Sequence, residues 1–424
     1  DSLEFTYRIK RPNQLVKHHL AKWEGYQYLE NGSKLTATYA FQFNKRLEFD
    51  AHNPRGISTA DGPVPELDFR IFTHTLETTW KPDLKNGWQL EAGVMGMYQN
   101  NWLQGRPFIP NFAALTGGAF AVAQKRLGNW NIEAGARYDY WWMLAKRRES
   151  INIITSIHQY QSPSLTLGAI WERGKLRLQS HLGSAWRPPH VNELFSDGLH
   201  HGSATVEEGN PDLSPEQSIK WQNSISWSPN AQWQIQVSAF GQYFQNYIFA
   251  QPGGFERTIR GTFPLLVYKQ ARAGLAGADA TLNWRSRGGL GATFKGAWLR
   301  TWNFEAREPL IFMPANWAEG EVGYFLPRDE NSYLKIGYRR VAMQNQFPIT
   351  PEGAGSGDWA PPPPGYGLLH LAAAWNFHLG DNHLQFGLRA DNLTNERYRD
   401  YLNRFRYFAD EPGRNWTIYV RLTF

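Results

Sequence analysis

Apolar and polar residues alternate with a period of two along almost the whole chain. At the C-terminus Trp416, Ile418, Val420, Leu422 and Phe424 fall on one face, and Asn415, Thr417, Tyr419, Arg421 and Thr423 on the other. Residues 34–44, 130–139 and 384–391 repeat the pattern. This is strand patterning with one apolar and one polar face. The runs predict strands of about 12–16 residues, against a usual mode of about 5–6. A membrane-crossing strand needs about 9–11 residues. No apolar run approaches the roughly 18 residues of a membrane helix, so a helical membrane protein is excluded. Long two-faced strands suit a sheet with lipid on one side and water on the other.

The connections alternate in length. Short turns are expected at Asn31-Gly32-Ser33, 83–87, Leu127-Gly128-Asn129, Arg173-Gly174-Lys175, 228–231, Arg287-Gly288-Gly289, 328–331 and Gly380-Asp381-Asn382. Long loops are expected near 51–65, 102–111, 147–158, 188–214, 250–265, 346–366 and 395–413. Short turns on one rim and long loops on the other are the layout of an outer-membrane barrel. Composition agrees. Aromatics are 15% and cluster near strand ends, as in Tyr138, Tyr140, Trp141 and Trp142, which is how interfacial girdles read. Charged residues are 19%, below the roughly 25% of a typical soluble domain. Mean hydropathy is nevertheless −0.54, as expected when half of each strand faces water. The aromatic content also excludes a disordered chain. With 0 Cys there is no disulfide or thiolate chemistry. Net charge is only +6 and the densest basic cluster is Lys146-Arg147-Arg148, which excludes a nucleic-acid partner.

The fold expected is therefore all-β, a transmembrane antiparallel β-barrel that takes residues 1–424 as one unit, with about 17 strands. A lipid-facing sheet cannot leave an edge unpaired, and single-chain bacterial barrels have even strand numbers. Counting back from the final strand, which follows a long loop, the first strand near 16–30 runs in the same direction. The sequence thus reads as starting on the long-loop side, in mid-barrel, with the other strands supplied elsewhere.

Three groups of residues carry a family resemblance. They are Trp186-Arg187-Pro188-Pro189, then Asn192-Glu193-Leu194-Phe195, then 209–216, Gly-Asn-Pro-Asp-Leu-Ser-Pro-Glu, which holds Asn210, Pro211, Asp212, Leu213 and Glu216. Residues 135–139, and 391–395 with Asn392, Tyr398 and a terminal Phe424, add to it. Together these resemble TonB-dependent outer-membrane receptors, with residues 16–180 in the style of Bacteroidetes-type members. The resemblance implies a 22-stranded barrel filled by an N-terminal plug, importing a scarce ligand with energy passed through TonB. About five strands and the plug then lie outside this sequence, on a cleaved or separately encoded piece. It also implies the bacterial outer membrane as location, with lipid and lipopolysaccharide around the wall. The boxes themselves read as mainly structural. Pro188 and Pro189 end a strand, because proline lacks a ladder N–H. Pro211 and Pro215 start turns. Phe424 resembles a terminal assembly signal.

Candidate ligand residues concentrate in the loops. Segment 188–214 carries His190, His200 and His201 with Glu193, Asp197, Glu207 and Glu208. Imidazole with carboxylate is a suitable set for zinc, copper, iron or haem iron, with His200 and His201 as the metal candidates. Haem receptors of the family resembled place a His between the two boxes, where His200 and His201 stand. Neighbours on an extended segment point oppositely, so the two cannot share one ion without a turn. A second set is cationic and aromatic: Trp102 and Arg106, then Tyr401 and Arg404. Such groups capture anionic siderophores or haem propionates by charge and stacking. No intrinsic cofactor is expected; haem or metal would be cargo. A surface lipoprotein is an alternative partner, and a passive porin-like channel an alternative function. His370, His378 and Asn376 face the expected lumen without a nucleophile elbow or a metalloprotease motif, so an enzyme is not expected.

Overall fold

The structure, a computed structural model, describes residues 13–49, 64–106, 108–149, 152–200, 202–327, 329–348, 358–380 and 382–424. Its strands are β1 (Asn13–Tyr28), β2 (Lys34–Phe49), β3 (Leu67–Lys81), β4 (Trp88–Gly105), β5 (Asn111–Leu127), β6 (Trp130–Glu149), β7 (Asn152–Arg173) and β8 (Leu176–Arg187). A five-residue helix, α1 (Val191–Phe195), and two short strands, β9 (Asp197–His200) and β10 (Thr205–Glu208), follow. The wall resumes with β11 (Glu216–Trp227), β12 (Trp233–Thr258), β13 (Gly261–Arg285), β14 (Leu290–Asn303) and β15 (Trp317–Leu326). It ends with β16 (Asp329–Val341), β17 (Tyr366–Leu379), β18 (Asn382–Asp391) and β19 (Asn415–Thr423).

Each wall strand pairs antiparallel with the next, and β8 pairs directly with β11. The short β9 and β10 therefore leave the wall, and the wall itself has the expected strand number. Among the described residues β1 pairs only with β2, and β19 only with β18. Both run toward the short-turn rim. Antiparallel closure between them therefore requires an odd number of intervening strands.

The apolar face of the alternation is the outer face. Ile132, Tyr138, Leu165, Leu167, Ile418 and Val420 are all exposed on it. Tryptophans mark the short-turn rim: Trp80, Trp88, Trp130, Trp227 and Trp233 lie exposed there. Trp130 and Trp171 pair at 6.5 Å, and Trp233 and Trp284 at 6.3 Å. Indole sits well at a lipid–water boundary, being apolar in body and a donor at one edge.

Two expected loops are largely strand and a third is half strand. Residues 147–158 lie mostly in β6 and β7, whose pairing continues to Glu149↔Asn152. A strand that projects beyond the membrane meets water on both faces, so charged residues such as Lys146 and Arg147 do not end it. Residues 250–265 lie mostly in β12 and β13, joined between Thr258 and Gly261. A register shift between Pro252 and Phe255 absorbs the proline and two glycines. Trp102–Gly105 belongs to β4, leaving only 106–110 as connection. The 395–413 loop is present, with a 3₁₀ turn at Arg404–Tyr407. Most of 51–65 and part of 346–366 lie outside the described residues.

The main apolar core is not in the wall but on its inner face. Leu194, Phe195 and Leu213 of the 188–214 segment pack against Phe112, Trp141, Met143 and Ile248 of β5, β6 and β12. Burying three such side chains favours the docked segment by roughly 5–9 kcal/mol over leaving them in water. The longest loop is thus folded into the mouth as a structured element.

Candidate functional site

The site is built outward from Arg187, the last residue of β8. Its guanidinium holds Glu193 in a fork: Nη1 donates to Oε2 at 2.8 Å and Nη2 to Oε1 at 3.0 Å. Its Nε is ion-paired with Glu216, the first residue of β11. Glu216 Oε1 also accepts from the Ile248 N–H at 3.2 Å. One arginine therefore pins both ends of the loop. Glu193 has a second task. Its Oε2 accepts from the His190 N–H at 2.7 Å, satisfying one of the free donors at the start of α1. The Asn210 N–H donates to the Glu193 carbonyl at 2.8 Å, and Asn210 Oδ1 accepts from the Asp212 N–H at 3.0 Å. Gly209 runs against the α1 backbone, where an added Cβ would sit 2.5 Å from the Phe195 nitrogen.

After α1 the chain crosses the mouth. The β9–β10 hairpin lies alongside β13, with β10 parallel to it at Val206↔Leu265 through Glu208↔Val267. That stretch of β13 extends past the end of its ladder with β14, so its outer edge is open to the hairpin. Glu207 is buried at this junction. It accepts from Tyr268 Oη at 3.3 Å, pairs with His200 Nδ1 at 2.9 Å and has Arg404 Nη1 3.9 Å away. Burial alone would raise the Glu207 carboxyl. The hydrogen bond and charge of His200, with the charge of Arg404, outweigh that and hold it below its ordinary value.

Further contacts tie the other loops across the mouth. Arg260, at the β12–β13 tip, donates to Glu66 at 3.1 Å, and Arg106 lies 3.8 Å from the same carboxylate. Arg106 also donates to the Leu199 carbonyl. Asp358 and Arg406 form a fully covered ion pair. Tyr401, Tyr407 and Phe312 face that guanidinium at 4.3, 4.6 and 5.8 Å from its carbon.

The sequence candidates divide accordingly. Arg187, Glu193, Asn210, Leu213 and Glu216 come together as the loop clamp, with Pro188, Pro211 and Asp212 shaping its turns. His200, Glu207, Arg404 and Arg106 converge at the hairpin. His190 is exposed before α1, and Glu208 is exposed on β10. Tyr401 is buried beneath Arg406 and offers the mouth little surface. Trp102 lies on the face opposite Asn101 and Leu103, half exposed with Arg70 5.1 Å from its ring, so it does not join the mouth. Asn392 closes its own turn, bonding Glu396 through both side-chain atoms at 2.7 and 2.8 Å. Phe424 is exposed at the chain end. His201 lies outside the described residues. Among the described residues no three His, Asp or Glu side chains are grouped to hold a metal ion. Asp358, Tyr268 and Glu66 escaped sequence reasoning, because each acts only through a partner distant in the chain.

Comparison with known proteins agrees with this architecture. Residues 3–393 match the family described as TonB dependent receptor-like, beta-barrel. The chain belongs to this family of outer-membrane transporters, whose members are not enzymes. Among solved structures it is similar to one titled "Copper transporter OprC", at 17% identity and a TM-score of 0.75, covering 96% of this chain and 66% of the other. It is also similar to the FrpB iron transporter of Neisseria meningitidis (16%, TM-score 0.69, 97% and 64%). The Serratia marcescens hemophore receptor HasR, solved with its hemophore HasA and heme, matches at 16% identity (TM-score 0.62, 96% and 65%). At these identities the likeness is one of fold. The chain spans less than two thirds of the length of each of these relatives.

Proposed function

We propose that this chain is the barrel portion of an active importer that takes up haem, a metal ion or an iron–siderophore across the outer membrane through TonB. The observation that carries this reading is the 188–214 segment. It is held against the inner face of the wall by one arginine on two buried carboxylates, near the long-loop rim where cargo would arrive. A structured element there suits a receptor that must recognise its cargo before import. Solved relatives named for copper, iron and heme support the cargo class proposed. In this reading about five strands joining β1 to β19, and a plug that contacts TonB, come from residues beyond these 424, on the same or another chain. The long-loop rim faces the cell exterior.

Uptake into cells carrying the complete receptor tests the proposal. Accumulation of haem, zinc, copper or a ferric siderophore should saturate and should stop when TonB is deleted. Flux that persists without TonB would identify a porin-like channel instead. His200→Ala and His201→Ala test the imidazoles; unchanged uptake of every cargo would remove them from the site.

A further inference from the structure

On the long-loop side the β6–β7 hairpin outruns its neighbour. The ladder of β7 with β6 runs from Asn152 to Trp171, whereas its ladder with β8 begins only at Thr166↔Gly183. The last contact with β8 is the Leu165 N–H, which donates to Ser184 Oγ at 2.9 Å. Among the described residues no other segment bonds to the β7 backbone on that side above Leu165. Residues two apart on a strand face the same way. Ile153, Thr155, Ile157, Gln159 and Gln161 therefore turn their N–H and C=O groups to one free edge. Pro163 interrupts the row below them, having no N–H to give. The edge stands in water, since lipid cannot satisfy such groups, and Gln159 and Gln161 lie opposite Trp142 and Tyr140 of the aromatic girdle. Two side chains along it are apolar and uncovered: Ile153 is 70% exposed and Ile157 57%. A long, regular, apolar edge is a template for another strand, and proteins cover or blunt such edges. This protein does so at its other projecting edges. Where β13 outruns β14, β10 lies against Leu265–Val267. Where β12 outruns β11, Glu216 takes the Ile248 N–H and Trp359 the Gly254 carbonyl. Where β14 outruns β15, Asn316 meets the Leu299 N–H and Glu308 bridges to Asn303. Where β17 outruns β18, the Leu393 N–H donates to the Leu369 carbonyl.

We propose that the free edge of β7 is the docking strand for an extended segment of a separate protein at the cell surface, which adds to it as one more strand and sets an acidic residue between two apolar ones on its outer face. The proposal rests on the outward orientation of the long-loop rim and not on which cargo is carried. The occupant follows from three features. The strands that would close β1 to β19 join the two ends of the sheet, so they do not reach β7, an inner strand of the wall. A second copy does not fit. Copies in one membrane share an orientation, so a two-fold axis along the membrane normal would set two β7 edges parallel, with N–H facing N–H at each level. The charge of the neighbouring strand selects the sign of the partner. Lys146 of β6 lies opposite Thr155 on the outer face, exposed and without a carboxylate partner among the described residues. An acid on the added strand beside Thr155 would pair with it across β7, while Ile153 and Ile157 would each gain an apolar neighbour.

The test is fluorescence anisotropy on the complete receptor in detergent, with a labelled peptide of about nine residues as probe. It carries threonine at alternate positions and glutamine, valine, glutamate and valine between them, to lie antiparallel beside Gln159, Ile157, Thr155 and Ile153. The probe should bind saturably. Thr155→Pro and Gln159→Pro each delete a donor on the free side and leave the ladder to β6 untouched, as Pro163 does at its own position. Each should weaken binding by about tenfold, with unchanged hydrogen exchange in β6 showing that the wall is intact. Lys146→Glu should weaken it by about threefold. The same peptide with every amide N-methylated should not bind, a difference that a simple adhesive apolar surface would not make. Failure of the parent peptide to bind, equal binding of its methylated form, or proline variants that bind as the parent does, overturns the proposal. A receptor dimer in outer-membrane vesicles that Thr155→Pro dissolves would overturn it too, by making a second copy the occupant. None of these readouts involves cargo, so the importer reading stands or falls separately.

Discussion

Removing the Arg187 side chain should release the mouth segment without touching the wall. Arg187→Ala deletes two charge-assisted bonds to Glu193 and the ion pair to Glu216. It leaves both carboxylates facing each other in a site where their side chains are 12% and 8% exposed. Bonds to charged groups contribute about 1.5–3 kcal/mol each. The guanidinium is 36% exposed, so solvent screening favours the low end. A total of about 3–4 kcal/mol follows, consistent with about 3–5 for breaking a buried pair by removing one partner. Local opening of the segment should rise by about two to three orders of magnitude. Hydrogen exchange reads this directly. Amides of 190–213 should lose protection by that factor, while β5, β6 and β7 keep theirs, since their ladders do not involve Arg187. Arg187→Lys should fall between, because an ammonium cannot fork across Glu193 while pairing with Glu216. Neutralising both acids (Glu193→Gln with Glu216→Gln) in the alanine variant should restore part of the protection. Protection within threefold of the parent, or equal loss across the wall strands, would refute the clamp.

Other expectations follow from the same geometry. Leu194→Ala empties a fully buried position in the mouth core and should destabilise the docked segment by about 2–5 kcal/mol, seen as protease cleavage within 190–213. Gly209→Ala places a Cβ 2.5 Å from the Phe195 nitrogen and 2.6 Å from the Leu194 carbonyl carbon. It should cost about 1–3 kcal/mol by overpacking and shift exchange in α1. Glu207 is held below its ordinary 4.5, so its contribution to hairpin docking is complete above that value and lost as pH falls through the depressed one. Exchange of β9–β10 amides should accelerate on acidification in that window, and Glu207→Gln should abolish the dependence.

Much of this protein was legible in the alternation itself. A period of two through β2, or through residues 130–140 of β6, leaves an apolar face that lipid can cover and a polar face that suits a lumen. Strand existence, turn positions and the direction of β19 relative to β1 follow from that local rule. Turns at Pro188 and Pro211 were also legible, since proline ends a ladder and starts a turn wherever it falls. The lengths of the projecting strands were not: β12 runs through Pro252 to Thr258 because β13 pairs with it on the far side of a bulge, and no local signal announces a partner.

The arrangement of the mouth was decided by tertiary structure. The alternation could say that His200, Glu207 and Arg404 were polar residues in loops; it could not say that Glu207 would lie buried against β13 with the other two beside it. Nor could it separate Tyr401, which packs under Arg406, from Phe255 and Phe408, which stay in water. Wall strands are specified by neighbours two residues apart, so sequence suffices for them. The mouth is specified by charges and rings brought together from segments as far apart as Glu66 and Arg260, and their energies exist only once the sheet has curved to bring them within reach.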